Sequence, residues 1–408
     1  MAGRRREPEK NEYNLSHVRA AVLRHGYRLM IITRLRLKNW RNFRELDVRL
    51  AEVTYVIGPN ASGKSNLHDV FRFLRDVCKP QGGGLQAAVA KRSGIRKLRC
   101  LHARKNPEIR IEVELSDPIT NKNWEYLLEF KSMTKDRVAI SREEVRCEGK
   151  IFLVRPNEND LIDRELLTQT HLEQIQANAE FREIVEFFSS ITYLHLVPQL
   201  LKYSEMIGGR VIEDDPFGQG FLERISLSTN KTRTSRLNKI KKALKAAVPQ
   251  FDNIQFSKDK AGRPHLEAFY SHFRPKAGWQ SEEHMSDGTL RLIALFWSLL
   301  DGDGVLLLEE PELSLNEEIV RQLPRLIDHA NKSRKTKRQI LITTHSNALL
   351  SNSAIDFEGV IVLEPGLEGT TGRSVNKSET AALSAGLPIS DVVLPKTNPS
   401  NVHQMELF

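Results

Sequence analysis

The 408-residue chain has few cysteines and lacks long apolar runs. Its three cysteines, Cys78, Cys100 and Cys147, form no CxxC pair, so the sequence indicates neither a disulfide framework nor a zinc site. A reducing compartment is therefore expected, and we predict a cytoplasmic location. The longest apolar candidate, residues 292–300, follows Arg291 and falls short of the ~20 residues that cross a bilayer. We expect no membrane partner.

The composition is that of an ordinary globular chain, with 40% hydrophobic, 28% charged and 7% aromatic residues. These values exclude collagen-like, mucin-like and wholly disordered proteins, and the length predicts roughly two to three domains. Lysine and arginine number 61 against 52 acidic residues, and the net charge of +9 has the sign that favours nucleic acid or another polyanion. The basic segment 1–29 lacks the apolar core of a secretory signal.

The clearest motif is GPNASGKS at 58–65, which matches G-x-x-x-x-G-K-[ST] between an apolar strand-like run and a helical pattern. In such a loop, glycines at the positions of Gly58 and Gly63 let backbone N–H groups face phosphate oxygens. Lys64 would then neutralise the β and γ phosphates, and the Ser65 hydroxyl would bind Mg²⁺. The motif predicts ATP as cofactor, with a plain glycine turn as the alternative. The neighbouring Asn60 and Asn66 are further candidate contacts.

A second motif, VLLLEEPE at 305–312, is an apolar run that ends in adjacent carboxylates. Because neighbouring residues on a strand point to opposite faces, the two acids should have different tasks. We assign Glu309 to the hydrated Mg²⁺ and Glu310 to the attacking water as general base. The alternative is an acidic strand end that is simply exposed to solvent.

Two weaker motifs follow the same order along the chain. MSDGT at 285–289 opens a helical pattern, where Ser286 and Gly288 could bind a phosphate through backbone N–H groups, although an ordinary N-cap is the commoner explanation. ITTHS at 342–346 ends an apolar strand with His345, which could bind a γ-phosphate. Taken alone, a histidine at a strand end is usually structural.

Together, the four motifs resemble the ATP-binding-cassette (ABC) heads of the SMC and RecF group, and especially the OLD-like AAA-family ATPases of prokaryotic phage-defence systems. The resemblance covers residues 30 to about 365. It implies an α/β fold: a P-loop NTPase with an ABC-type ATPase head, in which a mixed sheet is flanked by helices, plus an antiparallel β sub-lobe. It also implies that Arg41 and Asn42 lie near base and ribose, that Ser286 and Gly288 meet the γ-phosphate in trans, and that His345 is a switch histidine.

The chain departs from that family pattern at three places. Glu309 replaces the usual aspartate, MSDGT replaces LSGGQ, and no Q-loop glutamine can be assigned, Gln86 being only a guess. Lys64 and Ser286 lie 222 positions apart (286 − 64), so an insertion must separate them. The expected organisation is a basic N-terminal extension (1–29), a head N-lobe with the P-loop and a β meander (30–150), a short helical insertion arm (151–250), a head C-lobe (251–375) and a loosely attached tail (376–408).

Three basic runs, 91–105, 231–245 and 332–338, contain no acidic residue. Solvated charge is the usual explanation, and sequence-independent contact with DNA or RNA phosphates is the alternative.

The favoured function is an ATPase that forms a homodimer or higher oligomer around ATP. It would regulate a separate effector protein or engage nucleic acid, in anti-phage defence. A nucleotide-gated scaffold or sensor with negligible hydrolysis is the alternative. A GTPase or small-molecule kinase is disfavoured because no NKxD motif is present.

Overall fold

The computed structural model describes residues 30–103, 107–134, 137–203, 217–271, 278–334 and 337–397. The predicted N-terminal extension and residues 398–408 of the predicted tail lie outside the described residues. Arg104, Lys105 and Lys335 of the basic runs lie outside them too.

The strands of the described ranges are short to medium in length and are numbered in chain order. They are β1 (Ile31–Trp40), β2 (Phe43–Arg49), β3 (Val53–Ile57), β4 (Ile109–Asp117), β5 (Lys122–Ser132), β6 (Val138–Cys147), β7 (Lys150–Arg155), β8 (Thr192–Leu194), β9 (Phe251–Lys258), β10 (Pro264–Tyr270), β11 (Trp279–Ser281), β12 (Leu306–Glu309), β13 (Ile340–Thr344), β14 (Val360–Gly366) and β15 (Gly369–Ser374).

The helices are numbered in the same way, and the longest is α8. They are α1 (Lys64–Cys78), α2 (Leu85–Ala90), α3 (Ile95–Leu98), α4 (Glu158–Ile162), α5 (Arg182–Ser189), α6 (Pro198–Lys202), α7 (Phe221–Leu227), α8 (Asn230–Ala247), α9 (Asp287–Leu300), α10 (Glu317–Lys332), α11 (Asn347–Leu350), α12 (Lys377–Ser384) and α13 (Ile389–Val392). Among these, none combines the length and apolar character needed to span a membrane.

The first sheet is antiparallel, with strand order β2-β1-β4-β5-β6-β7. Burial alternates along β4, where Ile109, Ile111, Val113 and Leu115 are buried and the residues between them are half-buried. This period of two places one face of the sheet against the core. The predicted antiparallel meander is therefore confirmed.

The second sheet is mixed, with strand order β15-β14-β3-β13-β12-β8. The strands from β14 to β8 are parallel, whereas β15 runs antiparallel to β14. Ile57 on β3 pairs with Thr344 on β13, and Thr343 pairs with Glu309 on β12. Three adjacent strands therefore end at the same edge, which is where open α/β sheets bind ligands.

The two faces of the mixed sheet enter different cores because side chains alternate along each strand. On β12, Leu307 packs into the core shared with α1 and the antiparallel sheet, whereas Leu306 and Leu308 pack into the core shared with α8 and α9. A third sheet, ordered β11-β10-β9, contributes Leu266 and other residues to that second core. This is the predicted α/β architecture with helices on both sides of a mixed sheet.

The segment predicted as a helical insertion arm, 151–250, is mixed in structure. Residues 150–155 form the last strand of the antiparallel sheet, and Thr192–Leu194 forms the edge strand beside β12. The long helix α8 buries Leu237, Ile240 and Leu244 in the second core. This corrects the expectation for the described part of the segment: its apolar residues complete the sheets and cores of the head.

The predicted loose tail is also corrected, for residues 376–397. Ile389, Val393 and Leu394 are buried in the second core. The Glu379 carboxylate is 1% exposed and accepts hydrogen bonds from Arg373 and Lys396. Burial of these side chains attaches the segment to the head in a way that its irregular sequence pattern did not predict.

Candidate nucleotide-binding site

The P-loop connects β3 to α1 at the edge where the parallel strands end. Gly63 has a φ of +98°, and a Cβ there would lie 2.2 Å from the Asn42 amide nitrogen. A Cβ at Gly58 would lie 2.6 Å from the Ser62 hydroxyl. Both motif glycines are therefore required: Gly58 because of this close approach, and Gly63 because of both the close approach and its left-handed backbone.

A pocket of about 370 Å³ lies on this loop and is lined by residues 60–66 and Glu310. At its base, Lys64 Nζ donates hydrogen bonds to the carbonyls of Gly58 (2.9 Å) and Pro59 (3.1 Å). Burial lowers the pKa of Lys64, although the nearby Glu310 and Glu309 oppose this by favouring the charged form. The sequence thus places a partly desolvated cation at the bottom of an open pocket.

Glu309 lies where β12 ends and uses both carboxylate oxygens. Oε1 accepts a hydrogen bond from the Ser65 hydroxyl, and Oε2 accepts one from the Tyr193 hydroxyl at 2.5 Å. Burial alone would raise the pKa of Glu309, but the hydrogen bonds from Ser65 and Tyr193 hold it below its ordinary value. The two residues of the predicted metal pair, Ser65 and Glu309, are therefore in direct contact with each other.

Glu310 has a different environment from Glu309. Its φ of +43° turns the chain at the end of β12, and its side chain lines the pocket. Its Oε1 lies 3.0 Å from His345 Nδ1, where the imidazole can donate a hydrogen bond. Glu310 and His345, the two residues predicted as catalytic, are thus in contact with each other. They form a pair separate from Ser65 and Glu309.

Glu312 supports the loop that carries His345. It is buried, and its Oε1 accepts a hydrogen bond from the Thr344 hydroxyl at 2.5 Å. The same hydroxyl oxygen accepts a hydrogen bond from the Ser346 amide at 3.0 Å, so both neighbours of His345 are fixed. Burial raises the pKa of Glu312.

The residues assigned to base and ribose lie against the P-loop. Asn42 Nδ2 donates to the Ser62 carbonyl (2.9 Å), and its Oδ1 accepts from Asn66 Nδ2 (2.7 Å). Arg41 binds the Asp69 carboxylate through Nε and Nη2, at 3.0 and 2.6 Å. In this arrangement Asn42 and Asn66 brace the loop, Arg41 is held by an internal acid, and Asn60 lines the pocket.

The MSDGT segment forms the N-terminal cap of α9. Ser286 Oγ accepts a hydrogen bond from the Thr289 amide at 3.2 Å, and a Cβ at Gly288 would lie 2.8 Å from the Ser314 carbonyl oxygen. Lys202 and Gln199 each donate to the Asp287 carboxylate at 2.7 Å. Neither Ser286 nor Gly288 is among the described residues that line the pocket of their own chain.

The side-chain oxygens of Ser65, at the start of α1, and of Glu309, at the end of β12, fit a hard cation. Ser65 and Glu309 supply a hydroxyl and a carboxylate oxygen, which Mg²⁺ prefers, and Mg²⁺ is usually held by one or two protein oxygens together with phosphates. Across the described ranges, no cluster of three or more His, Cys, Asp or Glu residues could hold a metal by itself. A metal at Ser65 and Glu309 would therefore take the rest of its ligands from water and nucleotide oxygens.

Comparison with known proteins concerns the family and the fold of the chain. Residues 53–351 match the family model described as "AAA domain, putative AbiEii toxin, Type IV TA system". The chain belongs to this AAA-domain family. The AAA domain is also similar in fold to an SMC head bound to the C-winged helix domain of ScpA, with a TM-score of 0.51 and 15% identity over 86% of this chain and 99% of that one.

A second solved structure with a similar fold is an SMC head with an extended coiled coil, bound to the C-terminal domain of ScpA and derived from Pyrococcus furiosus. Its TM-score is 0.50 and its identity 13%, over 87% of this chain and 99% of that one. No curated protein matches the chain. At these identities the SMC likeness concerns the fold, and it confirms the predicted P-loop head.

Sequence reasoning missed Tyr193 and His195 of this AAA domain. Besides the Tyr193 hydrogen bond, His195 Nδ1 lies 3.4 Å from the Glu309 backbone oxygen. Both residues belong to the apolar run ITYLHL at 191–196, which was the available signal for a strand but lay within the segment predicted as a helical insertion arm. Gln86, the guess for a Q-loop, instead bonds the Val138 and Thr168 carbonyls at 2.9 and 2.7 Å.

The basic runs are less uniform than their sequences indicate. Arg92 is buried between Asp69 and Asp76 at 2.9 Å from each. Arg338 is 2% exposed, and Arg236 and Lys245 pair with Asp301 and Asp252. The acids come from elsewhere in the chain, so much of this charge is either buried or paired. Among the described cations of the first two runs, the exposed ones are Lys91, Arg96, Lys97, Arg99, Lys231, Lys239, Lys242 and Lys245.

Proposed function

We propose that this AAA domain binds ATP with Mg²⁺ and hydrolyses it to ADP and phosphate. One observation carries the proposal: a cationic P-loop, the Ser65–Glu309 pair and the Glu310–His345 pair converge where three adjacent parallel strands end. Steady-state release of phosphate from ATP tests it. A protein that binds ATP without turnover would instead be the nucleotide-gated scaffold or sensor.

Binding is assigned to the P-loop and its lysine. The Lys64 ammonium, which donates to the Gly58 and Pro59 carbonyls, would exchange these partners for phosphate oxygens when the nucleotide binds. Ser65 and Glu309 would hold Mg²⁺, which neutralises phosphate charge when bound. The loop needs little rearrangement, because Asn42 and Asn66 already brace its backbone.

Hydrolysis is assigned to Glu310 as general base. A water oxygen would attack the γ-phosphorus, the bond from phosphorus to the ADP oxygen would break, and the water proton would pass to the Glu310 carboxylate. His345 donates to Glu310 Oε1 and so holds the carboxylate at the pocket. Glu312 and Thr344 fix the loop that carries His345.

We further propose that two copies close around two ATP molecules as a homodimer, and that closure regulates a separate effector protein. The support is that Ser286 and Gly288 do not line the pocket of their own chain, while their family resemblance implies contact with a γ-phosphate in trans. Anti-phage defence is part of this proposal. Its support is the resemblance to phage-defence ATPases and a family description that names the AbiEii toxin.

Ser286→Arg should block ATP-dependent association while leaving nucleotide binding by the monomer intact. A long cationic side chain at the N-terminus of α9 would occupy the space that a partner's phosphate needs. Light scattering with and without ATP measures the mass. Ser286→Thr, which keeps the hydroxyl cap on the Thr289 amide, is the matched control and should associate as wild type does. Equal masses with and without ATP for the wild-type protein would contradict ATP-driven closure.

The second candidate partner is nucleic acid, favoured by the exposed basic side of α8. Lys239 and Lys242 are exposed and Lys241 is half-exposed, whereas Lys245 pairs with Asp252. Changing Lys239, Lys241 and Lys242 to Glu should weaken duplex binding. The slope of log affinity against log salt concentration should become shallower by about one for each lysine that contacts a phosphate. Binding isotherms at two salt concentrations, with and without ATP, measure this.

A charge-matched control separates phosphate contact from net charge. Lys122, Lys131 and Lys150 are exposed on the antiparallel sheet, and changing them to Glu alters the net charge equally. If both triple variants bind duplex as wild type does, or if wild type binds none, these lysines are solvated charge. An effector protein would then be the partner that remains.

A further inference from the structure

We infer that Tyr193 is a positioning residue: its hydroxyl orients the carboxylate of Glu309, the proposed Mg²⁺ ligand. The tyrosine suits a glutamate at position 309, where the family that the chain resembles usually has aspartate. This inference rests on the proposed function. It concerns the hydrogen bond from the Tyr193 hydroxyl to Glu309 Oε2 at 2.5 Å. With Oε1 on the Ser65 hydroxyl, that bond leaves the carboxylate a single orientation.

The register of β8 on β12 explains how the tyrosine reaches the acid. Tyr193 pairs with Leu307, two residues before Glu309 on the parallel strand. Because side chains alternate, Leu307 and Glu309 lie on one face, and Tyr193 shares the core with Leu307 on that face. The phenol ring spans the two-residue offset, and its hydroxyl meets the end of the glutamate side chain.

The tyrosine is itself held firmly. It is 6% exposed, the Arg72 guanidinium lies 4.4 Å from its ring centre, and the His68 ring packs edge-on at 6.4 Å. In this position the Tyr193 hydroxyl donates its hydrogen bond to Glu309 Oε2. Arg72 and His68 both lie on α1, the helix that begins at the P-loop lysine.

The contact is needed because glutamate has one more methylene than aspartate. A longer side chain has one more rotatable bond and would otherwise sample several carboxylate positions. The Tyr193 hydroxyl removes that freedom, as outer partners of metal ligands commonly do. An aspartate at 309 would withdraw the carboxylate by about one C–C bond, out of reach of the tyrosine.

Tyr193→Phe tests the inference with AMP-PNP, a non-hydrolysable ATP analogue, in calorimetric titrations over a series of Mg²⁺ concentrations. The Mg²⁺ concentration for half-maximal tightening of AMP-PNP binding should rise ~10–100-fold, the usual effect of removing such a partner. Affinity in EDTA should not change. Tyr203→Phe, at an exposed tyrosine, is the matched control and should behave as wild type.

The Glu309→Asp background gives a second measurement that a folding defect would not mimic. Since the aspartate cannot reach residue 193, adding Tyr193→Phe to Glu309→Asp should change the Mg²⁺ requirement by less than about 2-fold, because contacting residues are not additive. An unchanged Mg²⁺ requirement in Tyr193→Phe, or an equal loss of affinity in EDTA, would overturn the inference alone. No AMP-PNP binding by wild type would overturn the proposed function and this inference with it.

Discussion

Lys64→Ala is expected to abolish ATP binding. Lys64 lies at the base of the pocket formed by residues 60–66 and Glu310, and its ammonium is partly desolvated there. Losing one partner of a buried, hydrogen-bonded charge pair costs about 2–5 kcal/mol. A loss of about 4 kcal/mol moves a micromolar Kd to the millimolar range, which is beyond detection in an ordinary calorimetric titration.

The acids around the pocket sharpen this expectation. Glu309, Glu310 and Glu312 all act electrostatically on Lys64, so its removal leaves the phosphates facing uncompensated negative charge. Lys260→Ala, on the exposed turn between β9 and β10, is the control and should bind ATP normally. Unchanged affinity in Lys64→Ala, with the thermal midpoint also unchanged, would contradict the assignment of the P-loop.

The contiguous parts of this site were predictable from sequence, and the reason is geometric. A strand, a glycine turn and a helix in succession place Gly58 to Ser65 without any knowledge of the rest of the fold. The strand that ends at Glu309 and the one that precedes His345 are apolar runs of the same kind. Since the carboxyl ends of parallel strands meet at one edge, motif order and strand pattern were enough to bring them together.

Contacts between remote segments were not predictable. Tyr193 and Glu309 are 116 residues apart, and the tyrosine stands on a strand of three residues that follows a helix. A run so short carries almost no periodic signal. Its place at the sheet edge depends on its pairing with β12, which a single sequence does not encode locally.

The basic runs show the same limit in electrostatic terms. Within 91–105 the sequence has no acid, yet Arg92 is buried against Asp69 and Asp76 on α1. Arg236 likewise pairs with Asp301, which lies 65 positions away. A count of local charges therefore overstates the cationic surface, whereas the exposed Lys239 and Lys242 keep the phosphate-binding prediction open to test.

Glu310→Gln should still bind ATP and hydrolyse it ~10²–10⁴-fold more slowly, the usual contribution of a general base. The amide keeps the size of the side chain and an oxygen that can accept the hydrogen bond from His345 Nδ1. It cannot take a proton from water. Because the change also removes a negative charge beside the phosphates, nucleotide affinity should be equal or tighter. Single-turnover phosphate release and calorimetry measure the two effects separately.

Glu309→Gln is the comparison that separates the two acids, and the exposed Glu180→Gln is the control for loss of one surface carboxylate. Glu309 contacts the Ser65 hydroxyl and Tyr193, whereas Glu310 lines the pocket beside His345. Glu309→Gln should therefore raise the Mg²⁺ requirement of binding, and Glu310→Gln should leave it unchanged. If Glu309→Gln instead stops hydrolysis with Mg²⁺-dependent binding intact, while Glu310→Gln turns over normally, the two roles are reversed.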